Sequence, residues 1–241
     1  PTVCDPLIQP KEEAVGPYDS CSGVLVREDE PQVPVPYERS CPVCRLFGNT
    51  ATASRIYISD GEKTQGTAVR IDNVAISRQT GTARSPFHAV GLKGAEFVLT
   101  VRLRNFELWQ VGLLGHLFED LGNGRVPLGY GKNKGLGRVT ATAEKIRVTY
   151  FGVDHGANGE LKGLAEVLGE SERGKYDLRD PQPAPKVRFK QAEASMWRFT
   201  REVADIAGFW SAVKPCFTRE VWGKFRNLAE LRREEVHGAG D

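Results

Sequence analysis

Alternating apolar and polar residues predict β-strands on both sides of one amphipathic helix in the middle of the chain. The alternating segments are 54–59, 69–76 and 97–103. Residues 107–121 instead repeat apolar side chains at helical spacing, which predicts a helix with one buried face. A longer strand is predicted over 139–151. This order of elements predicts an α+β fold and suits a split β-α-β unit of the ferredoxin type.

Polar stretches separate these elements. Residues 60–67 are typical of a turn, and residues 77–86 form a polar, basic segment with no hydrophobic period. Because the basic segment lies between two alternating segments, it predicts a β-hairpin that projects from the sheet. A surface loop is the alternative. The glycine-rich residues 128–137 precede the last predicted strand.

The C-terminal part has a different pattern. Residues 161–168 predict a short helix, and residues 169–186 are rich in Gly, Ser, Asp and Pro, as linkers are. Residues 190–236 predict helices interrupted at Pro215, with aromatic side chains that favour a packed core over base stacking. The predicted regions are a cysteine-containing region 1–50, a mixed region 51–152, a linker 153–189 and a helical extension 190–241.

Composition narrows the class of protein. The 241 residues are 40% hydrophobic and include 33 basic against 31 acidic residues, so any nucleic-acid surface has to be local. The sequence has neither an apolar run long enough for a membrane span nor a secretory pattern, and this predicts a cytoplasmic protein with no membrane partner. The chain starts at Pro1, and Met196 is its single methionine. Either a starting methionine is removed or the chain is a piece of a longer one.

The cysteine spacing predicts a metal site. Cys41 and Cys44 form a C-x2-C pair, and Cys4 and Cys21 would complete a set of four thiolates around zinc. The surrounding residues are rich in proline and poor in apolar side chains, so this region needs a covalent or metal link to stay folded. Disulfides or unrelated thiols are the alternatives, but five cysteines are an odd number.

The glycine-rich stretch has the composition of a phosphate-binding loop. Lys132, Lys134 and Arg138 lie among glycines that allow a ligand to approach the backbone closely. The pattern matches neither a P-loop nor a dinucleotide fingerprint. A glycine-rich turn with solvated lysines is the alternative interpretation.

The basic hairpin segment is a second candidate surface. Arg78 and Arg84 flank a Thr-Gly-Thr tip, and arginines suit phosphates and base stacking. His88 follows this segment and is a candidate RNA contact. Asp60 and Asp72 lie at strand ends, which is an ordinary position, and no residue is assigned a catalytic role.

Three motifs in this order resemble the RAMP superfamily. The first is Cys41-Pro-Val-Cys-Arg-Leu-Phe-Gly48, the second is Arg70-Ile-Asp-Asn-Val-Ala-Ile-Ser-Arg-Gln-Thr-Gly-Thr-Ala83, and the third is Lys134-Gly-Leu-Gly-Arg-Val139. The ordered set is similar to backbone subunits or domains of type III CRISPR RNA-guided effector complexes. The similarity covers about residues 38–150.

The resemblance implies a ferredoxin-like, RRM-like palm with a zinc knuckle and a β-hairpin thumb over residues 76–87. Such subunits stack along the guide RNA, and each thumb inserts into the guide–target duplex and kinks it. The implied partners are the guide RNA, a single-stranded target RNA and other RAMP subunits. Together with the basic elements above, the implied RNA contacts are Arg45, Arg70, Arg78, Thr80, Arg84, Phe87, His88, Lys132, Asn133, Lys134 and Arg138.

The chain also departs from the family pattern. A first strand and helix of the palm have no counterpart before Cys4, and the helical extension is not standard, which predicts a segment of a fused multi-RAMP effector or an incomplete palm. The leading hypothesis is a guide-RNA-binding backbone module in antiviral defence. One alternative is a target-RNA or precursor-guide ribonuclease, which would use Mg²⁺ if RNA is cleaved. The other alternative is a zinc-stabilised structural domain without an RNA role.

Overall fold

Two units divide the chain in the computed structural model. One unit is Ile56–Leu103, and the other combines Pro1–Arg55 with Arg104–Asp241. The smaller unit is therefore an insertion in the larger one. The structure describes residues 3–9, 18–25, 36–178 and 184–225.

The helices of the larger unit are short before residue 100. They are α1 (Cys21–Leu25), α2 (Pro36–Arg39) and α3 (Pro42–Phe47). The longest helix among the described residues is α4 (Leu108–Gly122), with 15 residues. Within the described part of the chain, no helix combines the length and the apolar character needed to cross a bilayer.

The inserted unit is a long antiparallel β-hairpin. Strands β1 (Ile56–Ile58) and β4 (Val101–Leu103) pair at its base. Strands β2 (Glu62–Ile76) and β3 (Ala83–Val98) pair from one end to the other, with three irregularities in register. At about 3.3 Å per residue, a strand of this length extends about 46 Å.

This hairpin is longer than the sequence predicts. The turn predicted over residues 60–67 is wrong from Glu62 onward, because those residues pair within β2. The polar segment 77–86 contains a turn only over 77–82, and β3 begins at Ala83. Most side chains of β2 are exposed on both faces. The strands therefore depend on backbone pairing, and the predicted alternation over 69–76 detects only the C-terminal half of β2.

Helix α4 confirms the predicted amphipathic helix and, with the sheets, the α+β fold class. Glu107 and Gln110 form a reciprocal capping box at its start, and Leu108 and Trp109 are fully buried. A Cβ at Gly112 would lie 2.8 Å from backbone atoms of the C-terminal segment that packs on the helix. Glycine at this position therefore permits the close approach.

The C-terminal segment that packs on α4 is aromatic and helical. It contains α7 (Ile206–Val213), a 3-10 turn (Lys214–Cys216) at the predicted Pro215 interruption, and α8 (Arg219–Lys224). The ring centroid of Trp109 lies 5.0 Å from that of Phe225 and 6.4 Å from that of Phe217. The predicted core role is confirmed for Phe225 and for the half-buried Phe217, and it is wrong for Trp197, which is exposed. Residues 226–241 of the predicted helical extension lie outside the described residues.

Part of the predicted helical extension forms a sheet instead. Strands β5 (Arg147–Phe151), β6 (Glu193–Ser195) and β7 (Arg198–Glu202) form an antiparallel sheet in the order β5-β7-β6. The prediction of a helix is wrong for β6 and β7: β7 pairs with β5, about 50 residues earlier in the chain, and β6 pairs with β7. The strand predicted over 139–151 is also too long, because only its last five residues are paired.

The predicted linker, residues 153–189, is folded where the structure describes it. It contains α5 (Leu164–Val167) and α6 (Glu170–Lys175). Ala165 and Leu178 are buried and pack with Tyr37. Polar composition had predicted a linker here, but spaced apolar residues anchor this segment to the larger unit.

Candidate metal centre and nucleic-acid interface

Four cysteine sulfurs converge near the N-terminus. Cys4 lies in segment 3–9, Cys21 begins α1, and Cys41 and Cys44 lie at the start of α3. All four Sγ atoms lie within 4.8 Å of one another, and Cys4 Sγ lies 3.5 Å from Cys44 Sγ and 3.7 Å from Cys41 Sγ. A tetrahedral ion with bonds of about 2.3 Å holds its sulfur ligands about 3.8 Å apart. The predicted four-cysteine cluster is confirmed, and its geometry suits one metal ion.

The local backbone directs amide donors to the sulfurs. The backbone N–H of Cys44 donates to Cys41 Sγ at 3.4 Å, and the backbone N–H of Cys41 donates to Cys21 Sγ at 3.4 Å. Pro42 occupies the first turn of α3, where a helix does not need an amide donor. Gly48 follows α3 with φ at 80°, and a Cβ there would lie 2.6 Å from a backbone nitrogen. The sequence Cys-Pro-x-Cys-x3-Gly thus folds into a knuckle around the site.

Hydrogen bonds between the closely spaced cysteine sulfurs shift their pKa values in opposite directions. A hydrogen bond to Cys41 raises the pKa of the Cys21 thiol to about 12, and the same hydrogen bond lowers the pKa of Cys41. Hydrogen bonding with Cys21 raises the pKa of Cys44 far above its usual range. Four thiolates at these separations repel one another, so only a cation permits them all to be deprotonated. Metal binding at this cluster therefore releases protons.

Arg45 does not face a ligand, although the sequence predicts an RNA contact there. The residue is 3% exposed. Its guanidinium donates to the carbonyls of Glu38 and Ser40 at 2.6 and 3.2 Å and to the Asp177 carboxylate at 3.0 Å. It also lies 5.1 and 5.4 Å from the centroids of two aromatic rings. The prediction for Arg45 is wrong, because internal partners occupy its guanidinium.

The sequence does not predict the buried polar network that lies beside Arg45. The Tyr37 hydroxyl donates to the carboxylate of Glu107, which is 0% exposed. The Gln110 side-chain amide donates to the Arg45 carbonyl at 3.3 Å. Burial raises the pKa of Tyr37 above its usual range, so the hydroxyl keeps its proton and donates. In the sequence, only the acid Glu107 at the predicted start of α4 could have indicated this network. Its partner Tyr37 lies 70 residues earlier, so the sequence gives no sign of the contact.

The end of the hairpin is a compact polar turn over residues 77–82. The Ser77 N–H donates to the Thr82 carbonyl at 2.9 Å, and the Thr80 and Thr82 hydroxyls lie 2.7 Å apart. Arg78 and Thr80 are exposed there. Arg84 lies in β3 just after the turn. The structure therefore places these predicted RNA contacts at or next to the tip of the hairpin.

The strands behind the tip hold the remaining predicted hairpin contacts. Arg70 donates to the Asp72 carboxylate at 2.8 Å and lies 3.2 Å from His88 Nδ1. Phe87 is opposite Asn73, on the other face of the hairpin, and is 39% exposed. Arg70 and His88 are thus close together, and Phe87 is separate from them. Between Asp72 and Glu96 the sequence has three Lys or Arg residues and no acid, so this part of the hairpin is positive.

The predicted phosphate-binding loop is a short 3-10 turn (Lys132–Lys134) between two left-handed glycines, Gly131 and Gly135. Leu128 N–H donates to the Gly137 carbonyl at 2.8 Å and closes the loop. The side chains of Lys132, Asn133, Lys134 and Arg138 are exposed. The amides of residues 134–136 donate to carbonyls within the loop, so they do not donate to a ligand. Anion contacts therefore depend on the side chains.

Comparison with known proteins identifies the family. A search of curated proteins found no match. The family model described as the RAMP superfamily matches residues 13–140, which is more than half of the 241 residues. The match includes the cysteine knuckle, the inserted hairpin and the glycine-rich loop. The chain therefore belongs to the RAMP superfamily.

Proposed function

We propose that this protein is a guide-RNA-binding backbone module of a type III CRISPR interference complex. The observation that supports this most directly is the long inserted hairpin with a positive, polar end in a chain of the RAMP superfamily. A hairpin this exposed has little core of its own, so its stable partner is outside the unit. A guide–target RNA duplex supplies negative charge for its arginines and a stack of bases for its small tip.

The proposed partners are the guide RNA, the single-stranded target RNA and neighbouring RAMP subunits. Exposed apolar side chains of the inserted unit, among them Ile76 and Val90, suit contacts with a neighbouring subunit or with bases. None of the five cysteines forms a disulfide in the structure, which fits a reducing cytoplasm.

We further propose that the four-cysteine cluster binds a structural Zn²⁺ through Cys4, Cys21, Cys41 and Cys44. Four thiolates in a closed, largely buried set are typical of structural zinc and leave no open position for catalysis. The ion would connect three separate segments of the larger unit. The backbone amides of Cys41 and Cys44, which donate to two of the sulfurs, would orient these ligands around the ion.

The loop around Lys132–Lys134 is the proposed contact with the guide backbone. Lys132, Lys134 and Arg138 project from a loop whose shape is fixed by its glycines and internal hydrogen bonds. Because the loop is already ordered, these cations meet phosphates with little loss of conformational freedom. Contacts of this kind bind RNA of any sequence.

Replacing Lys132, Lys134 and Arg138 together by glutamine is expected to weaken binding to every RNA sequence. Each lost phosphate contact removes up to about 0.7 from the slope of log affinity against log salt for single strands, so the slope should fall by up to about two. A salt titration of RNA affinity measures this change. Lys186→Gln with Arg125→Gln is a matched control, since both cations are exposed and already paired with acids. An unchanged slope in the triple variant would show that these side chains face solvent only.

The hairpin tip is the proposed thumb that enters the guide–target duplex. Its turn is small and polar, with Arg78 exposed on it and Arg84 close behind. Opening one base step costs a few kcal/mol, which new contacts from the tip have to offset. The tip's internal hydrogen bonds stabilise its shape before it binds.

Replacing residues 77–82 by Asn-Gly is expected to abolish duplex distortion while keeping the hairpin. Ile76 and Ala83 are cross-strand partners, so a two-residue turn connects them without a change of register. The measurement is 2-aminopurine fluorescence from the displaced base step of a guide–target duplex, in the assembled complex. The signal should fall to that of free duplex, while guide RNA remains bound. Unchanged fluorescence would contradict the thumb assignment.

A further inference from the structure

The sheet β5-β7-β6 has one buried face and one open face. Val148 and Tyr150 of β5 are buried, so Arg147, Thr149 and Phe151 point to the opposite side. The cross-strand partners in β7 share this side. The outer face, as defined here, consists of Arg147, Thr149, Phe151, Arg198, Thr200 and Glu202. Its centre is polar, because the hydroxyls of Thr149 and Thr200 lie 3.0 Å apart.

Positive charge is concentrated at one end of the outer face. Lys190, Arg147 and Lys145 lie 2.5, 3.6 and 3.7 Å from the single carboxylate of Glu202. Three cations thus share one acid. Another acid that lines the cavity described next is Glu193. Arg147, Lys190, Glu193 and Glu202 border a shallow cavity of about 250 Å³. The cluster keeps a positive excess after the internal pairing, which suits an anionic ligand.

Exposed apolar and aromatic side chains occupy the other end. Phe151 is 73% exposed, and Trp197 in the turn between β6 and β7 is 68% exposed. The Gly152 N–H donates to the Trp197 carbonyl at 2.9 Å, so this turn is held beside the end of β5. Arg198, opposite Phe151, makes no ion pair with the described residues. By contrast, Trp109 is 0% exposed. Exposed aromatics of this size mark a binding surface.

We propose that the outer face and the Trp197 turn bind a segment of single-stranded RNA. Bases stack on Phe151 and Trp197, while Arg198, Arg147 and Lys190 contact phosphates. Four strand steps of about 3.3 Å separate Arg147 from Phe151, so the face is about 13 Å long. That length suits the two or three bases that an open sheet with exposed aromatics stacks. The proposal rests on the RNA-binding function proposed above, but it concerns residues outside the part of the chain that matches the family model.

The charge pattern favours RNA over a protein partner. An apolar protein surface would leave the excess cations beside Glu202 without a counter-charge. A single-stranded RNA provides both the phosphates and the exposed π-faces in alternation along one strand. In a duplex the bases are stacked on one another, so no base is free to stack on Phe151. The site is therefore expected to select unpaired RNA.

The test uses the full chain, a short uridine oligonucleotide and a blunt RNA duplex. The variants are Phe151→Leu and Trp197→Leu, which keep an apolar side chain and remove the aromatic ring. Each should lower affinity for the oligonucleotide by at least about fivefold, since stacking contributes about 1–3 kcal/mol per base. Duplex affinity should stay within twofold. Phe47→Leu is the matched control, because Phe47 is an aromatic with 55% exposure at the end of α3.

A second measurement reports contact directly. Bound oligonucleotide should quench the emission of the exposed Trp197, and the quenching should disappear in Trp197→Leu. If the glycine-loop variant weakens RNA binding but both leucine variants bind the oligonucleotide normally, this inference is wrong and the proposed function stands. If the wild-type chain binds no RNA, both fail. If the leucine variants alter only association with another protein subunit, the face is a protein interface and the RNA assignment is overturned.

Discussion

A protein with Cys41→Ser and Cys44→Ser is expected to lose the proposed Zn²⁺ and the folded arrangement of residues 3–9, 18–25 and 36–55. The cluster joins three segments, and its apolar surroundings are small, with Leu25 among the few buried side chains. Structural zinc contributes about 10–16 kcal/mol in small zinc-dependent folds, which is comparable to the whole stability of a domain. Metal analysis should fall from about one zinc per chain to about none.

Hydrogen exchange locates the effect of this double substitution. Amides of α1 and α3 should lose their protection, while those of the hairpin β2–β3 in the other unit should keep theirs. Cys216→Ser is the matched control, because this thiol is also buried but lies outside the cluster. Zinc content and protection should be unchanged in the control. Full zinc retention by the double variant would rule out Cys41 and Cys44 as ligands.

The cysteine cluster shows what spacing alone predicts. The C-x2-C pair and two more cysteines in a segment with little core indicated the correct set, because a metal is the simplest means to order such a chain. The sequence did not indicate that Gly48 is required after α3. That requirement follows from a close backbone approach that only the folded structure reveals.

The strands were predicted less well than the helix α4. Helix α4 is encoded locally, by a capping box and an apolar stripe within 15 residues. Strand β2 has exposed side chains on both faces, and alternation marks it only over 69–76. Strand β7 pairs with β5 about 50 residues earlier, and its short sequence Arg-Phe-Thr-Arg-Glu gives little sign of that partner. Strand pairing between distant segments is the information that local patterns lack.

Among the candidate RNA contacts, motif position alone could not separate exposed from buried cations. Arg45 directly follows Cys44 of the cysteine knuckle, and no feature of its local sequence distinguishes it from Arg70 or Arg78. Its burial depends on Asp177, which lies 132 residues later in the chain. The sequence identifies the basic residues. Their contacts in the folded structure determine which of them remain available to RNA.

Arg45→Met is expected to destabilise the larger unit by up to about 3–5 kcal/mol, because it removes the buried partner of an ion pair with the partly exposed Asp177. Asp177 would keep a carboxylate without its guanidinium, and the Glu38 and Ser40 carbonyls would lose a donor. Chemical denaturation followed by tryptophan fluorescence measures the free energy of unfolding. The reporter is Trp109, which packs against the same aromatic ring, Phe225, as the Arg45 guanidinium.

Arg125→Met provides the comparison that separates burial from charge. Arg125 also pairs with an aspartate, Asp120, at 3.0 Å, but both side chains are largely exposed. An exposed pair contributes less than about 1 kcal/mol, so this variant should unfold almost like the wild type. RNA affinity, measured in denaturant-free buffer on the folded fraction, should be the same for Arg45→Met and Arg125→Met. If Arg45→Met instead weakens RNA binding and leaves the stability unchanged, Arg45 is an RNA contact. Its buried hydrogen bonds would then not be what connects α3 to the segment after α6.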